Sequence, residues 1–217
     1  MQCIVTAGPT YEPLDEVRRL TNFSTGRLGS ELVNYLVARG HEVTLLIGQG
    51  ATYRGERHAQ RTETFTTTTN LRDRLQVLAT PAVAAVFHAA AVSDFGFGKI
   101  WRRSPQGELT ELNGGKLSTR EGTLLAELAP TPKIIASLRP WFPAAKLVGW
   151  KYEVEGGRAG VVRLAEHQVA ECHTDACVAN GPGYGAGFGL VKAAGGFTHL
   201  PDIAALFAAL EEFIRAM

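Results

Sequence analysis

Short, continuously apolar runs alternate along the chain with segments of helical periodicity. The apolar runs predict buried strands, and Leu28, Leu32 and Leu36, four residues apart, predict one face of a helix. That helix should begin near Ser24 or Thr25 and end at Arg39, with Gly40 just beyond its last turn. Strands are predicted at residues 3–6, 43–47, 84–88, 146–150 and 176–179, with weaker ones at 64–66 and 188–193. The other helices are predicted at residues 70–78, 132–138, 161–172 and 203–217.

The apolar runs indicate a mostly parallel sheet, because apolar and polar positions do not alternate within them. Strands of that kind are buried on both faces, as in a parallel sheet covered by helices. The sequence therefore predicts an α/β, three-layer Rossmann-like fold with a mostly parallel sheet, in a single domain over residues 1–217. Residues 95–130 are the exception, since they lack a clear period and are polar and glycine-rich. A flap or hairpin insertion is expected there, with residues 108–112 pairing with residues 123–128.

Composition narrows the function classes. The 217 residues carry a net charge of +1, which argues against a nucleic-acid binder that works through a basic surface. No apolar run reaches the length of a membrane span, and the first residues lack a secretory pattern, so we expect a cytoplasmic protein. The three cysteines form no CxxC, and no His/Cys cluster, P-loop or Gly-x-Ser-x-Gly elbow is present. We predict no metal-ligating residues.

In a parallel sheet, ligands bind beyond the carboxyl ends of the strands, so the loops at those ends carry the candidate chemistry. The segment from Asn22 to Gly26 precedes a predicted helix, whose free N–H groups favour an anion. An ordinary N-cap formed by Ser24 or Thr25 explains the same residues equally well.

Two further segments have both a functional and a bland interpretation. Asp94 follows small residues after the fourth strand and suits a hydroxyl or a metal-bound phosphate, but a helix cap in a tight turn is the alternative. Lys116 follows Gly114 and Gly115 and suits a phosphate, but a solvated surface lysine is the alternative, and Lys99 is a weaker rival for the same role.

Six stretches occur together in a recognisable order between residues 4 and 180. They are TAGPTYEPLDEVRRLTNFSTGRLG, AAAVSDF, GGKLS, LAPTPKII, LVGWKYE and VAN. Taken together they resemble the phosphopantothenate–cysteine ligase family of coenzyme A biosynthesis, in the stand-alone form without a flavin decarboxylase domain.

The resemblance implies a reaction. The carboxylate of 4′-phosphopantothenate attacks the α-phosphorus of ATP or CTP, and the cysteine amine then attacks the acyl-nucleotide. Both steps build negative charge on oxygen and need preorganised donors. The resemblance also implies Mg²⁺ with the triphosphate and a homodimer.

The resemblance further implies site residues. Asn22, as an amide donor, and Lys116, beside the phosphates, are the expected catalytic residues. The nucleotide-binding positions are Ala89, Ala90, Asp94, Pro132, Lys133, Ile134, Ile135 and Trp150, the last standing where the family usually has phenylalanine. The substrate and phosphate positions are Gly8, Ser24, Thr25, Gly26 and Arg27.

Two alternatives to the ligase stay open. Gln168 and Cys172 occupy helix positions where the bacterial members have lysines, so a catalytically diverged nucleotide-binding relative is one alternative. An NAD(P)-binding oxidoreductase is another. Against it stand the long segment before Gly26 and Gly48-Gln49 at the end of the second predicted strand, where an acidic residue is expected for the ribose.

Overall fold

The computed structural model describes residues 1–112, 115–118 and 122–216. Gly114 and Thr119, which flank the predicted lysine motif, and Met217 of the last predicted helix lie outside the described residues. Within the described ranges, no helix combines the length and the apolar character that crossing a membrane requires.

An eight-stranded sheet forms the centre of the molecule. Its strands, in chain order, are β1 (Gln2–Ala7), β4 (Glu42–Gly48), β5 (Arg61–Phe65), β6 (Val83–His88), β10 (Lys146–Tyr152), β11 (Ala176–Asn180), β12 (Phe188–Lys192) and β13 (Phe197–Leu200). Their spatial order is β13-β12-β11-β10-β6-β1-β4-β5. In this spatial order, all the neighbouring strands between β11 and β5 pair in parallel. Strand β12 pairs antiparallel with β11 and with β13. The predicted mostly parallel sheet is confirmed.

Within the described part of the chain, five helices cover the two faces. They are α1 (Arg27–Ala38), α2 (Thr68–Val77), α3 (Ile134–Trp141), α4 (Gly157–Cys172) and α5 (Ile203–Arg215). Residues of α1 and α5 pack on one face of the sheet, and residues of α2, α3 and α4 pack on the other. The three-layer Rossmann-like class is therefore confirmed.

The predicted flap region is a small antiparallel sheet. Its strands are β7 (Phe95–Arg103), β8 (Leu109–Glu111) and β9 (Thr123–Pro130), in the order β8-β7-β9. The expected pairing of residues 108–112 with residues 123–128 is wrong, because β7 lies between the two segments and pairs with both. A second small sheet consists of β2 (Tyr11–Pro13) and β3 (Arg19–Thr21), with β2 lying against β7.

Two helix starts differ from the prediction. Helix α1 begins at Arg27 rather than Ser24 or Thr25, since its N-cap is Gly26, whose φ is 76°. Helix α3 begins at Ile134, so Pro132 precedes the helix instead of occupying its first turn. Gly40 follows the end of α1 with φ 82°, as predicted.

Candidate functional site

The chain changes direction across the sheet between β1 and β6. From β1 it runs outward through β4 and β5, and it then returns to β6 on the other side of β1. In open α/β sheets, the carboxyl ends of the two strands at such a switch point border the ligand crevice. The loops that follow β1 and β6 are therefore the framework of the candidate site.

Those two loops are hydrogen-bonded to each other beyond the sheet. The N–H of Ala91 donates to Gly8 O at 3.0 Å, and the N–H of Thr10 donates to Ala91 O at 3.1 Å. The Thr10 hydroxyl accepts from the N–H of Ser93 at 2.8 Å. Ala89 and Ala90, both half-buried, are thus held directly beside the end of β1.

A buried histidine supports the start of the β6 loop. The Thr6 hydroxyl lies 2.9 Å from Nδ1 of His88 and accepts the N–H of Ala90 at 3.1 Å. Burial lowers the pKa of His88 to about 4, so the imidazole is neutral at neutral pH. Neither Thr6 nor His88 was among the predicted site residues.

Glycines allow the N-terminus of α1 to reach the end of β1. Gly8 and Gly26 both have positive φ, and a Cβ on Gly26 would lie 3.4 Å from the Gly8 Cα. A Cβ on Gly29 would lie only 2.5 Å from the Cβ of Ala7. Side chains at these positions would push the helix away from the strand.

The expected N-cap by Ser24 or Thr25 is wrong, because Gly26 occupies the cap position and has no side chain. Thr25 instead accepts a hydrogen bond from the N–H of Arg27 at 3.2 Å. The Arg27 guanidinium donates to Glu31 at 2.7 Å. An anion at this helix start stays a prediction for Gly8 and for residues 24–27.

Asn22 joins the segment after β3 to the β6 loop. Its Nδ2 donates to Ala91 O and Val92 O, each at 3.1 Å. Both N–H bonds of the amide therefore point to backbone carbonyls, and Oδ1 is the atom of the amide that remains as an acceptor. Asn22 itself is exposed, and its catalytic role stays a prediction.

Lys116 is exposed, but the residues on both sides of it are fixed. The N–H of Leu117 donates to Oδ2 of Asp15 at 3.1 Å, and Leu117 O accepts from the Arg18 guanidinium at 2.7 Å. Gly115 O accepts the N–H of Glu16 at 2.8 Å. The segment that carries Lys116 is therefore attached to the turn between β2 and β3.

Asp94 lies at the start of β7. The expected helix cap is wrong, because the strand begins at the next residue, Phe95. Asp94 is exposed, and its backbone oxygen accepts the N–H of Thr131 at 3.0 Å, which joins β7 to the segment before α3. The hydrogen bond to Glu171 is the main cause that raises the pKa of Lys133, and the negative charge of Asp94 contributes least.

The two halves of the predicted base pocket belong to different faces of the sheet. Ile134 and Ile135 pack in the core under α2 and α3. Trp150 packs against the core under α1 and α5, and its buried indole Nε1 has no hydrogen-bond partner among the residues that the structure describes. Gly149 precedes Trp150 on β10, and a Cβ on Gly149 would lie 2.6 Å from Cδ1 of Ile135. The nucleotide-binding assignments of Pro132, Lys133, Ile134, Ile135 and Trp150 stay predictions.

The two helix positions that lack the family's lysines are not equivalent. Cys172 is fully buried, and burial raises the pKa of its thiol. The Gln168 amide reaches the Sγ of Cys177 at 3.2 Å and Trp150 O at 3.5 Å. A lysine at position 172 would need a different local arrangement to reach solvent, whereas position 168 is half-buried.

Two other features bear on where ligands bind. Among residues 1–112, 115–118 and 122–216, no three His, Cys, Asp or Glu side chains come together to hold a metal ion. An open cavity of about 520 Å³ lies at the opposite edge of the sheet, beside His173, Thr174 and Lys192. That cavity is remote from the loops after β1 and β6, so we do not assign the predicted chemistry to it.

The fold and the switch-point loops define a Rossmann-like α/β domain with a candidate ligand-binding edge at the carboxyl ends of β1 and β6. Residues 1–196 match the model of the DNA/pantothenate metabolism flavoprotein C-terminal domain. The chain belongs to that family.

Relatives agree with this assignment. The chain is 29% identical over 182 residues to the coenzyme A biosynthesis bifunctional protein CoaBC of Thermococcus kodakarensis, with 82% of this chain and 40% of the relative covered. It is also 29% identical over 189 residues to the CoaBC protein of Bacillus subtilis, with 86% and 42% covered. The chain thus spans about two-fifths of the length of these curated relatives.

Solved structures show the same fold. The DNA/pantothenate metabolism flavoprotein from Streptococcus pneumoniae superposes with a TM-score of 0.85 at 24% identity, covering 100% of this chain and 99% of that one. The Cab2 mutant H337A, in complex with phosphopantothenate-cysteine, superposes with a TM-score of 0.71 at 18% identity, covering 99% and 87%.

Proposed function

We propose that the protein is a phosphopantothenate–cysteine ligase of coenzyme A biosynthesis. The family and the CoaBC relatives support this proposal, as does the fold shared with Cab2, which binds phosphopantothenate-cysteine. The structural observation that carries it concerns Asn22 and Lys116. Residues 15–22 connect the two. At one end of this segment Asn22 bonds to the loop after β6, and at the other end Asp15 and Arg18 bond to Leu117, the neighbour of Lys116.

In the proposed reaction, a carboxylate oxygen of 4′-phosphopantothenate attacks the α-phosphorus of a nucleoside triphosphate. An O–P bond forms, and the bond to pyrophosphate breaks. The amine of cysteine then attacks the acyl carbon, a C–N bond forms, and the nucleoside monophosphate leaves while the amine loses a proton. No protein nucleophile is required, so the work of the site is charge stabilisation and positioning.

The two expected catalytic residues suit different parts of this chemistry. The Lys116 ammonium is exposed and provides positive charge for the phosphates, whose negative charge increases as pyrophosphate leaves. Asn22 holds Ala91 and Val92 in place through its N–H₂, and its Oδ1 is available to a donor such as the cysteine amine.

ATP or CTP is the proposed co-substrate, with Mg²⁺ accompanying the triphosphate. Mg²⁺ bound with phosphates needs only one or two protein carboxylates. Asp94 is an exposed carboxylate beside the switch-point loops and fits that requirement. Bound there, the ion would offset charge on the phosphates.

The test is pyrophosphate release with phosphopantothenate, cysteine and Mg²⁺, run in parallel with ATP and with CTP. We expect release with at least one nucleotide, and a loss of about 10²–10³-fold in Lys116→Gln. Lys99→Gln is the matched control, because Lys99 lies on β7 in the same insertion between β6 and α3 but pairs with Glu111 at 3.1 Å. No release with either nucleotide would contradict the proposal, and a loss in Lys99→Gln alone would move the catalytic role to that residue.

A catalytically diverged relative is the second candidate, favoured by the buried Cys172 and the engaged Gln168. It would bind a nucleotide without turnover, and Asn22→Ala would leave that binding unchanged. The relatives, which are coenzyme A biosynthesis proteins, give the oxidoreductase alternative no support.

We also propose a homodimer formed through the small sheets. Phe23 is fully exposed, and further exposed apolar side chains lie on or beside β3, β7, β8 and β9: Val17, Leu20, Phe95, Leu109 and Leu128. A concentration of this kind is typical of an interface. Phe23→Ser should shift the mass in sedimentation from dimer to monomer, whereas Val77→Ser, at an exposed valine on α2, should not. A monomeric wild-type chain would contradict the dimer.

The proposed compartment is the cytoplasm. The three cysteines are all free, which fits a reducing environment.

A further inference from the structure

A buried carboxylate lies beside the exposed lysine segment. The side chain of Asp15 has no solvent exposure, although it belongs to a surface turn. It accepts hydrogen bonds from the N–H of Val17 at 3.0 Å, the N–H of Arg18 at 2.8 Å and Nε of Arg18 at 3.0 Å. Nη2 of Arg18 also donates to Oδ2 of Asp15, and these four bonds together close the turn between β2 and β3.

A fifth bond to this carboxylate comes from far along the chain. The N–H of Leu117 donates to Asp15 at 3.1 Å, and the Arg18 guanidinium donates to Leu117 O at 2.7 Å. Asp15 and Arg18 therefore hold both backbone polar groups of one residue, as a neighbouring strand would. Leu117 is itself 7% exposed, so its side chain is packed as well.

The residue on the other side of Lys116 is held by the same turn. The N–H of Glu16 donates to Gly115 O at 2.8 Å. Lys116 is thus fixed through the backbone before and after it, and its exposed side chain starts from a defined position. A simple solvated loop lysine would not need this arrangement.

The charges in the cluster are also separated. The hydrogen bond from Arg18 holds the pKa of Asp15 well below its usual range, so the carboxylate stays ionised at neutral pH. The positive charge of Arg18 is therefore taken up by Asp15. Among the described residues no carboxylate forms an ion pair with Lys116, which leaves its ammonium as the charge that this segment presents.

We propose that Asp15 is the positioning residue of the catalytic lysine: through Leu117 it sets where the Lys116 ammonium stands relative to the phosphates. This inference rests on the proposed ligase function. The β2–β3 turn continues through β3 to Asn22, so one stretch of chain positions both Lys116 and Asn22. The alternative is that Asp15 merely stabilises the β2–β3 turn.

A double-mutant cycle separates the two roles. Asp15→Asn should lower kcat for pyrophosphate release about 10²-fold with little change in KM, because a misplacement of about 1 Å costs that much while binding is retained. If Asp15 acts through Lys116, Asp15→Asn should have no further effect in the Lys116→Gln background. A purely structural role predicts that the two losses multiply, and that result would overturn the proposal.

The chain offers a matched control for this cycle. Asp175 also pairs with an arginine, Arg139, at 2.6 Å and also accepts a backbone N–H, that of Leu147, at 2.7 Å. It lies at the amino end of β11, away from the switch-point loops. Any loss in Asp175→Asn should multiply with that of Lys116→Gln, and non-additivity there would show that the cycle is not specific.

A readout independent of activity keeps the two proposals distinguishable. Hydrogen exchange at the Leu117 amide should accelerate in Asp15→Asn while exchange in β1 stays unchanged. Unchanged exchange at Leu117 would overturn the proposed positioning by Asp15, even in an active enzyme. Accelerated exchange in a chain that releases no pyrophosphate would refute only the ligase function.

A second variant covers the case in which Asp15→Asn does not fold. Arg18→Lys keeps a positive charge beside Asp15 but lacks the planar fork that reaches both Asp15 and Leu117. The same non-additivity with Lys116→Gln and the same faster exchange at Leu117 are expected, and their absence would count against the proposal.

Discussion

Replacing Asn22 by aspartate would place a carboxylate opposite two backbone carbonyl oxygens. In the wild-type chain the Asn22 amide donates to Ala91 O and Val92 O at 3.1 Å each. A carboxylate has no proton to donate at neutral pH, so both bonds are lost and like partial charges face each other. The loop after β6 would then lose its connection to the segment after β3.

The size of the effect follows from the two bonds. A neutral hydrogen bond contributes about 0.5–1.5 kcal/mol net, and the lower half of that range applies because Asn22 is exposed. Two bonds then amount to about 1–2 kcal/mol of the free energy of unfolding. For a chain of this size, that corresponds to a fall in Tm of roughly 2–8 °C. We expect pyrophosphate release to fall further, by about 10²-fold, since a displaced loop misplaces the reacting groups.

The assay combines thermal unfolding with pyrophosphate release for Asn22→Asp. Asn34→Asp is the control, because Asn34 also donates to a backbone carbonyl, Glu56 O at 2.9 Å, but lies on α1 away from the strand ends. Its Tm should fall slightly and its activity should be unchanged. Wild-type Tm and wild-type activity in Asn22→Asp would refute the reasoning that these two bonds organise the edge.

Two other predictions follow from packing and burial. Gly29→Ala places a Cβ 2.5 Å from the Cβ of Ala7 and should lower the free energy of unfolding by about 1–3 kcal/mol. In Gly160→Ala the nearest neighbouring atom is 4.0 Å from the new Cβ, so this variant should raise the free energy of unfolding by up to about 1 kcal/mol. Denaturant titration of both variants checks this, and equal effects would contradict it. Burial lowers the pKa of His88 to about 4, so the unfolded chain binds a proton at this histidine more readily than the folded chain does. The contribution of neutral His88 to the free energy of unfolding is therefore complete above about pH 6.5 and is lost as the pH falls toward 4. The loss should total roughly 3 kcal/mol and should be absent in His88→Gln, so identical pH profiles of the two proteins would refute it.

The main sheet was predictable because its strands are buried on both faces. Residues 3–6 and 43–47 are continuously apolar, and each lies within a strand of the structure. The carboxyl ends of such strands identify the site-bearing loops without any knowledge of side-chain contacts. The bounds were less certain, as α1 shows, because a glycine in the left-handed region took the cap position expected for Ser24 or Thr25.

The small sheets were not predictable in the same way. Strand β7 contains Gly96, Gly98 and Lys99 and is mostly exposed or half-buried, so neither apolar runs nor a clean alternation indicates it. Because β7 was not predicted, residues 108–112 were paired with residues 123–128, and that predicted hairpin was wrong. Strands β2 and β3 have three residues each, too few to show a period.

The same limit explains why Asp15 escaped the sequence analysis although it lies in the most specific stretch of the resemblance. An aspartate three residues before an arginine is common in ordinary turns, and the four local bonds of Asp15 are those of such a turn. What distinguishes it is the bond to Leu117, a contact across 102 positions that no local pattern encodes. The family motif identified Lys116 as a residue type at a position, whereas the fold shows how a flap lysine can have a fixed place. In the proposed mechanism the Lys116 ammonium provides the charge, and the Asp15 carboxylate, on a distant turn, holds the backbone from which that side chain extends.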